Sequence, residues 1–465
     1  NQIYNPFGVD ITDIRRRLVE LPLRTQEDDT ENWRFGISAD SIVGNYNWQV
    51  SANWSQAQSY QTLRNVVVAD RLRKSLSADC LGPLADGCVP LNVFGPSGSI
   101  DQHQLDYIST YAQVEGTTHL YQYNMDIDTS IPFNSAYFMV ATGLELRKEK
   151  VDTGPVNHAP GAELIGGDDV SQTVGSRTIT EFYVETQTPL ARRQDLAHSM
   201  DLEVSVRASR YSDFGTSINP KLGFRYRPVR DILLRATYAE GFRAPSISEL
   251  HREGSFDLPF LNDPCTQIDN VGVLPGCTQL ADETRFQFVT EFVGDDTLKP
   301  ETSKSYTVGT VWTPSETKGL SLSASYFNIS QENVVDANAQ FLVDHNAFYD
   351  VFSDQVIRDE YGNIAKINAP FMNLGNREVR GVDLAFSYQW ESGRWGNFRV
   401  TSNASHLIHF SHQVLDQDEI INEAGTFSDE ASQGSGSLPD WKINSGLKWA
   451  VGPMELNYTL HYVSK

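Results

Sequence analysis

Cysteine and histidine are the residues of this chain whose type and spacing could do chemistry. The four cysteines form two close pairs, Cys80 with Cys88 and Cys265 with Cys277, each in a segment rich in Gly, Pro and Asp. An even number of cysteines in loop sequence predicts disulfides formed in an oxidising compartment. Free thiols or a metal site are the alternative, although spacings of eight and twelve residues do not match the CxxC pattern of zinc ligands.

Three histidines, His406, His409 and His412, lie within seven residues. On a regular strand His406 and His412 share one face about 20 Å apart, and His409 points to the other face. One metal ion could not bind all three, so we expect no metal site here. The chain contains no nucleophile elbow, phosphate-binding loop or HExxH motif. We therefore predict neither an enzyme nor a cofactor.

The elements around these residues follow a strict alternation of apolar and polar side chains. In residues 201–209, apolar side chains occupy every second position, and the pattern recurs in 382–390 and 454–462. Such dyads, each about ten residues long, are typical of transmembrane β-barrel strands. We expect one face of each strand to contact lipid and the other to line the lumen. The predicted lipid-facing residues are Val382, Leu384, Phe386, Tyr388 and Trp390, and the predicted lumen-facing residues are Asp383, Ser387 and Gln389.

Length and composition agree with a barrel. A single soluble domain of 465 residues would be unusually long. With 21% charged residues, the chain has no uncharged apolar run long enough for a membrane helix, so it could cross a bilayer only as a closed barrel. The net charge of −23 argues against a nucleic-acid partner, because phosphates would be repelled.

Alternation and turn residues predict about fifteen strands. These are residues 11–24, 33–42, 46–60, 117–129, 135–150, 177–188, 198–211, 219–227, 232–242, 303–313, 320–330, 371–390, 398–412, 441–451 and 454–464. The tight connections are 44–45, 228–231, 313–319, 391–396 and 452–453, and the long ones are 61–116, 151–176, 243–302, 331–370 and 413–439. Because the two kinds alternate, we place the tight turns at a periplasmic rim and the long loops outside.

Closure of a bacterial single-chain barrel requires an even number of strands. An odd count with no partner for the last strand would leave unpaired backbone groups in lipid. We therefore expect the natural protein to continue beyond one or both ends of this chain.

Several segments together carry a family resemblance. Residues 236–250, ATYAEGFRAPSISEL, closely resemble the barrel signature of TonB-dependent outer-membrane receptors. Four more pieces resemble the same family in the same order: 219–228, 298–306, 376–383 and 438–442. Upstream, residues 88–95, CVPLNVFG, resemble a loop element of one branch of these receptors.

The resemblance implies an all-β fold, a 22-stranded antiparallel up-and-down barrel plugged by an N-terminal domain. Residues 1–465 would be the middle and later part of that barrel, without the plug and the final strands. The implied function is active import of a scarce nutrient (siderophore, haem, cobalamin or oligosaccharide) across the bacterial outer membrane. The implied partners are the TonB energy-transducing complex, the nutrient, and outer-membrane lipid with lipopolysaccharide. The alternatives are a passive diffusion porin and a soluble all-β enzyme or adhesin.

The signature has its own chemistry. Gly241 and Pro245 are expected to end a strand, because glycine reaches torsions closed to other residues and proline cannot donate to a ladder. Arg243 and Glu249 are expected to make charge-assisted hydrogen bonds to a plug or to loop backbone. Folding the barrel rim is favoured over direct contact with substrate. The signature residues are Glu240, Gly241, Phe242, Arg243, Ala244, Pro245, Ser246, Glu249 and Leu250.

Aromatic and acidic residues complete the prediction. Tryptophans near strand ends fit interfacial girdles: Trp48, Trp54, Trp312, Trp390, Trp395, Trp441 and Trp449. Aromatics in the long loops could close over a ligand, but a small core inside each loop is favoured: Phe256, Phe260, Phe286, Phe288, Phe292, Phe341, Phe348, Tyr349 and Phe352. Acidic segments could attract cationic ligands or divalent ions, or could simply be solvated: 282–283, 291–296, 416–423 and 429–430.

Overall fold

The chain folds into one long, curved, antiparallel sheet with folded loops at one end. The computed structural model describes residues 3–9, 11, 14, 16–81, 87–133, 136–156, 164–165, 172–194, 197–282, 286–413, 422–427 and 437–464. This is the transmembrane β-barrel architecture that the alternation predicts. None of the helices in these ranges is long and apolar enough to cross a membrane.

The strands in chain order are β1 (Thr25–Val43), β2 (Tyr46–Val68), β3 (Ser109–Phe133), β4 (Ala136–Pro155), β5 (Leu164–Ile165), β6 (Thr173–Gln194), β7 (Ala197–Tyr211), β8 (Gly215–Arg227), β9 (Ile232–Arg243), β10 (Ser255–Asp257), β11 (Thr290–Val293), β12 (Glu301–Trp312), β13 (Leu320–Glu332), β14 (Val335–Asp336), β15 (Val356–Arg358), β16 (Ile364–Pro370), β17 (Met372–Asn373), β18 (Asn376–Glu391), β19 (Asn397–Gln413), β20 (Thr426–Phe427), β21 (Ser437–Leu438), β22 (Trp441–Val451) and β23 (Met454–Val463). The helices are α1 (Ala69–Leu76), α2 (Gln102–Ile108), α3 (Ile247–His251) and α4 (Ala339–Tyr349), with short 3₁₀ turns at Ala78–Leu81, Pro264–Thr266, Ile268–Asn270 and Gly393–Trp395.

The long strands form a meander in which each strand pairs with the next long strand along the chain. The order is β1-β2-β3-β4-β6-β7-β8-β9-β12-β13-β18-β19-β22-β23, and short β5 pairs with β2 to make a 15-stranded sheet. Within the described residues, β1 and β23 are the two edges and do not pair with each other. The long loops lie at one end of this meander and the tight turns at the other, as predicted, except that residues 212–214 make a short turn between β7 and β8 at the long-loop end.

Most predicted strands are present, but the first is wrong. The described residues between 11 and 24 are not in a strand. Pro22 cannot donate to a ladder there, and Arg16 instead bonds to loop carbonyls. The prediction 371–390 is split, because Gly375 takes a left-handed φ of 68° and separates β17 from β18.

Helix α3 identifies the inner face of the sheet. The segment after β9 reaches back to β6, where Thr173 forms a bridge with Arg252. A Cβ added at Gly175 on β6 would lie only 2.5 Å from Cγ2 of Ile247. A connection that passes over two intervening strands takes the shorter path inside the curve. The face with Gly175 is therefore the inner face, and the opposite face is the outer face.

The strand registers extend this assignment around the sheet, since residues directly opposite each other share a face. Asp383 pairs with Ser325, Ser325 lies on the face of Gly309, and Gly309 pairs with Arg235. Arg235 lies opposite Arg225 on β8. The pairings of β8 with β7 and of β7 with β6 then place Arg225 on the inner face. Alternation along β18 then puts the five residues predicted to contact lipid on the outer face.

Aromatic residues form two belts on the outer face. At the tight-turn end, the rings of Trp390 and Phe398 stack at 5.1 Å, and those of Phe398 and Trp449 at 6.1 Å. Eight residues higher on β22, Trp441 stacks on His406 at 4.4 Å. At about 3.3 Å per residue and a tilt of about 40°, the two belts are roughly 20 Å apart along the membrane normal, close to the height of an apolar band.

Candidate functional site

The centre of the family signature is a charged network at the external end of β9. Arg243 donates to both carboxylate oxygens of Glu249, at 3.1 and 3.0 Å, and to Glu301 at 2.6 Å. Glu301 is 4% exposed and also accepts from Gln331 and from the backbone N–H of Val335, at 2.7 and 2.8 Å. One arginine thus ties the ends of β9, β12 and β13 to the following loops.

Helix α3 rests on the inner wall through the same signature. Ser246 and Glu249 form a capping box, in which Ser246 Oγ accepts from the Glu249 N–H at 3.1 Å. The carbonyl of Pro245 accepts a hydrogen bond from Arg177 Nη1 of β6 at 2.7 Å. Gly175 leaves the space into which α3 packs. The signature therefore folds the rim and closes α3 onto the wall.

The remaining signature residues lie around this network. Gly241 is on the inner face with Arg243, and Glu240 is on the outer face by alternation. Phe242 lies where β8 and β9 part, with its ring 6.0 Å from that of Phe214. Ala244 continues the chain into α3, and Leu250 is buried with Leu298 and Val335. Arg243 and Glu249 bond to each other, and Glu249 also accepts from the backbone N–H of Ser246 in the loop at 2.6 Å.

The inner wall is lined with paired charges. Arg207 contacts Glu181 at 3.1 Å, and Lys221 contacts Glu203 at 2.5 Å. Higher on the wall, Arg177 contacts Glu149 at 2.6 Å. The wall also carries cations with no ion pair among the described residues: Arg225 and Arg235 lie directly opposite each other on the inner face, and Arg235 donates to Ser325 at 2.8 Å.

Loop lobe 1, defined as residues 69–108 with residues 16–24, caps β2 and β3. Its core contains Leu91, Ile100, Leu105 and Ile108, against which Leu18 and Leu21 pack. The Sγ atoms of Cys80 and Cys88 are bonded at 2.07 Å.

The CVPLNVFG segment builds a clamp inside loop lobe 1. Leu91 is fully buried, and Asn92 Oδ1 accepts from the N–H of Gly95 at 3.0 Å, which closes a turn. The exposed carbonyls of this turn receive Arg16, which donates to Val93 at 3.2 Å. Glu20 forms an ion pair with the Arg16 guanidinium at 2.7 Å. This explains why residues 16–24 join the loop instead of the sheet.

Loop lobe 2, defined as the described parts of 244–300 and 333–375, is a joint fold of two loops. Strands β10 and β11 of the first loop join β15 and β16 of the second in one sheet, with β11 parallel to β16. Helix α4 packs over it, with Leu342 and Val343 fully buried. For these two loops the prediction of a separate core in each is wrong, because buried residues of both loops form one cluster.

The loop aromatics divide between this core and the surface. Phe288 and Phe341 are buried, and Phe292 and Phe352 pack against them. The others are exposed or at the limit of exposure: Phe256, Phe260, Phe286, Phe348 and Tyr349.

Polar cross-links hold loop lobe 2 together. Arg358 of the second loop forms a double hydrogen bond with Asp263 of the first, at 2.8 and 3.0 Å. The Asp263 side chain is 1% exposed, so this is a buried ion pair. Next to it, Cys265 and Cys277 are bonded through sulfur at 1.97 Å. Sequence reasoning missed the ion pair, because its partners lie 95 residues apart.

A cavity of about 400 Å³ opens in loop lobe 2. The cavity on this lobe is lined by Leu261, Asn262, Asp263, Pro264, Thr266, Gln267, Asn270, Phe286, Asp344 and Phe348. Burial raises the pKa of Asp344 to about 6, although Gln340 donates to it. Aromatic side chains beside amides and carboxyls form a surface that can bind a hydroxylated ligand.

The predicted arrangement of the three histidines is wrong. A bulge between Arg380 and Gly381 shifts the register of β19, so that His409 is opposite Arg380 and His406 opposite Val382. His406 and His409 therefore share the outer face, and His412 is on the inner face. Among the described residues, no three His, Cys, Asp or Glu side chains converge as metal ligands would.

Some residues of the acidic loop segments make contacts within the folded loops. Glu291 pairs with Lys366. Asp295 accepts from the N–H and hydroxyl of Thr297, at 2.8 and 2.7 Å. Residues 283, 416–421 and 428–436 lie outside the described residues. The contacts of Glu291 and Asp295 fit structural roles.

Several solved structures are similar to this chain. They include the siderophore receptor PirA from Acinetobacter baumannii, with a TM-score of 0.56 and 13% identity over 94% of this chain and 50% of that one. PirA from Pseudomonas aeruginosa has a TM-score of 0.48 and 14% identity over 93% and 62%. FauA, the alcaligin outer-membrane receptor of Bordetella pertussis, has a TM-score of 0.48 and 14% identity over 95% and 55%.

The likeness to PirA from Acinetobacter baumannii concerns the fold alone, and the chain spans 50% of that receptor's length. No curated protein sequence matches this chain. A family model does match, and it covers residues 2–465. With the meander, the belts and the rim signature, that match shows that the chain belongs to the TonB dependent receptor-like β-barrel family.

Proposed function

We propose that this chain forms the wall and external lobes of an outer-membrane receptor that captures a scarce nutrient and imports it with energy supplied through TonB. The observation that carries the proposal is loop lobe 2, a folded external unit with an open cavity above a polar wall. A simple diffusion channel needs no such unit. The family to which the chain belongs consists of receptors and not of enzymes.

The cavity favours one class of nutrient. Its described lining residues include Asp344, three amide side chains, and Asp263, whose charge is balanced by Arg358. A ferric chelate rich in carboxylates or phenolates would meet like charge there, since Asp344 with a pKa of about 6 is ionised at neutral pH. A neutral ligand with many hydroxyls could instead donate to Asp344 and to the amide oxygens and stack on Phe286 and Phe348. We therefore favour an oligosaccharide over a siderophore, haem or cobalamin.

Growth of the host under defined limitation tests this proposal. The complete receptor gene is deleted and restored, and uptake is compared for an oligosaccharide panel, ferric siderophores, haemin and cobalamin. We expect loss of oligosaccharide uptake alone, with the same loss when TonB is removed. Uptake that persists without TonB, together with stable ion conductance in bilayers, would support a porin instead.

Point variants connect the activity to the cavity. The double variant F286A/F348A removes two aromatic side chains that are 56% and 45% exposed, so it should weaken binding without disturbing the core. We expect an affinity loss of about tenfold or more, since a stacking contact contributes roughly 0.5–1.5 kcal/mol. Tyr361 is 67% exposed on the same lobe and does not line the cavity, which makes Y361A the matched control. Equal loss in Y361A would exclude the cavity as the binding site.

A further inference from the structure

The cavity of loop lobe 2 contains a carboxylate that has no cationic partner among the described residues. Asp344 of α4 lines the cavity, and its Oδ1 accepts a hydrogen bond from Gln340 Nε2 at 2.7 Å. No cation in the described ranges forms an ion pair with Asp344, and no donor in them bonds to its Oδ2. The other acid of the lining, Asp263, is bound to Arg358. A ligand with hydroxyls only would therefore leave one negative charge unbalanced.

The position of this carboxylate is fixed by a buried amide. Gln340 lies one helical turn before Asp344 and is 4% exposed. Its Oε1 accepts from the N–H of Asn262 at 2.7 Å, and its Nε2 donates to the Asn262 carbonyl at 2.6 Å. Asn338 caps the start of α4 by accepting from the N–H of Phe341 at 2.8 Å. The carboxylate is thus held in place before a ligand binds, which is the arrangement that a binding site needs.

Holding a carboxylate without a cation in this position costs stability. Burial raises the pKa of Asp344 to about 6, because the surroundings disfavour the ionised form. At neutral pH the group is nevertheless ionised. His345, the next residue on the helix, is hydrogen-bonded through Nδ1 to the Phe341 carbonyl at 2.9 Å. A charge that is kept at a cost to stability is typical of functional sites.

Two aromatic rings line the same cavity. Phe348 follows Asp344 by one helical turn, so the two side chains lie on the same face of α4, with about 5–6 Å between their Cβ atoms. Phe286 reaches the cavity from the other loop. An ammonium group bound to the carboxylate can lie within about 6 Å of a ring, the range of a cation–π contact. An organic cation fits such a surface, whereas a divalent metal ion needs several oxygen ligands.

Amide side chains in the lining offer both donors and acceptors. Asn270 donates to the Pro264 carbonyl at 2.8 Å and to Gln267 Oε1 at 3.4 Å. In the part of the lobe that the structure describes, these contacts leave Asn270 Oδ1 as an acceptor and Gln267 Nε2 as a donor. The volume of about 400 Å³ is in the range of small-molecule sites, roughly 300–1,000 Å³. Groups of this kind suit the hydroxyls of sugar rings.

We propose that the cavity selects an oligosaccharide that carries a protonated amine, as an amino sugar does. The ammonium group donates to Asp344, a sugar ring lies against Phe348 or Phe286, and neighbouring hydroxyls bond to Gln267 and Asn270. This inference rests on the proposed function, because it takes the cavity as the nutrient site. It narrows the nutrient from any oligosaccharide to a cationic one.

Calorimetric titration of the complete receptor in detergent at neutral pH tests the inference with two probes. One is a glucosamine tetramer, and the other is the same tetramer with every amine acetylated, which removes the charge and keeps the sugar chain. We expect the glucosamine tetramer to bind at least about tenfold more tightly, since a hydrogen bond to a charged group contributes a factor of that order. Spermidine, which has amines but no hydroxyls, should compete weakly.

Asp344→Asn keeps the shape of the side chain and removes its charge. It should lower the affinity for the glucosamine tetramer about tenfold or more and change that for the acetylated tetramer less than about threefold. Asp354→Asn is the matched control, because Asp354 is exposed on the same lobe and does not line the cavity. This control should change either affinity less than about threefold. Heat-modifiable gel mobility shows that each variant has assembled.

The outcomes separate this inference from the proposed function. Equal affinity of the wild type for the two tetramers would overturn the inference, even if D344N failed to assemble, and so would equal losses in D344N and D354N. If F286A/F348A still weakened both tetramers, the cavity would remain the nutrient site. Equal binding of spermidine would overturn the assignment to a sugar. Failure of both tetramers to bind would also overturn the inference, whereas TonB-dependent uptake in the growth test decides the proposed function separately.

Discussion

Leu384→Arg tests the orientation of the whole wall. Leu384 is on the outer face of β18, six residues above Trp390 of the lower aromatic belt. At about 3.3 Å per residue and a tilt of about 40°, it lies roughly 15 Å above that belt, near the middle of an apolar band about 25 Å tall. Arginine at that depth on the lipid face costs about 2–4 kcal/mol. The assembled fraction should therefore fall by roughly 30- to 700-fold at equilibrium.

The matched variant is Ser387→Arg, three residues along the same strand. Ser387 is opposite Ser321 and Thr401, on the inner face. There the guanidinium stays solvated, and we expect a change in folding free energy below about 1 kcal/mol. The assay is urea titration of the complete receptor refolded into vesicles, with heat-modifiable gel mobility as readout. Equal tolerance of the two arginines would refute the assignment of faces.

Three further predictions concern the external lobes. Burial raises the pKa of Asp344 to about 6 in the folded state. The protonated carboxyl therefore contributes fully to stability below about pH 4, and this contribution is lost as pH rises through 6. We expect Asp344→Asn to protect loop lobe 2 from proteolysis at pH 8 and to change little at pH 4. Arg243→Ala leaves the buried Glu301 without its cation and should destabilise the rim by about 1–2 kcal/mol. The loss is smaller than for a fully buried pair, because Arg243 is 44% exposed. Faster hydrogen exchange of the α3 backbone would show the destabilisation, and an unchanged exchange rate would contradict the prediction. Mass spectrometry of the unreduced protein should find Cys265 joined to Cys277, and reduction should loosen the lobe by about 2–3 kcal/mol; four free thiols would exclude the bond.

The wall could be predicted from the sequence because strand pairing obeys local rules. Alternation of period two fixes the faces, and Gly44 with a φ of 64° is the residue that a tight turn requires. The capping box at Ser246 and Glu249 is also a local pattern, which could have placed α3 from the sequence. Strand lengths were underestimated, because the alternation fades where both faces leave the membrane.

The lobes could not be predicted, because their contacts are long-range. Nothing near Asp263 in the sequence indicates that Arg358 will be its partner. The single bulge opposite residues 407–409 reversed the predicted faces of His409 and His412, since a shift of one residue moves every later side chain to the other face. From the sequence alone Arg16 was predicted to be in a strand. Its position in the loop depends on hydrogen bonds to carbonyls of the Cys88–Gly95 segment, which local patterns do not show.

Long strands explain how the loops can carry a binding site. Strand β3 has 25 residues, about 80 Å along its length and roughly 60 Å along the membrane normal, more than twice the height of an apolar band. The wall at β2 and β3 therefore continues well above the bilayer, and loop lobe 1 lies on paired strands; loop lobe 2 follows β9 and β12, which have 12 residues each. Sites held by rigid elements keep their geometry better than sites on loops alone. Arg243 joins the base of loop lobe 2 to the wall, because it forms ion pairs with Glu249 after β9 and with Glu301 at the start of β12.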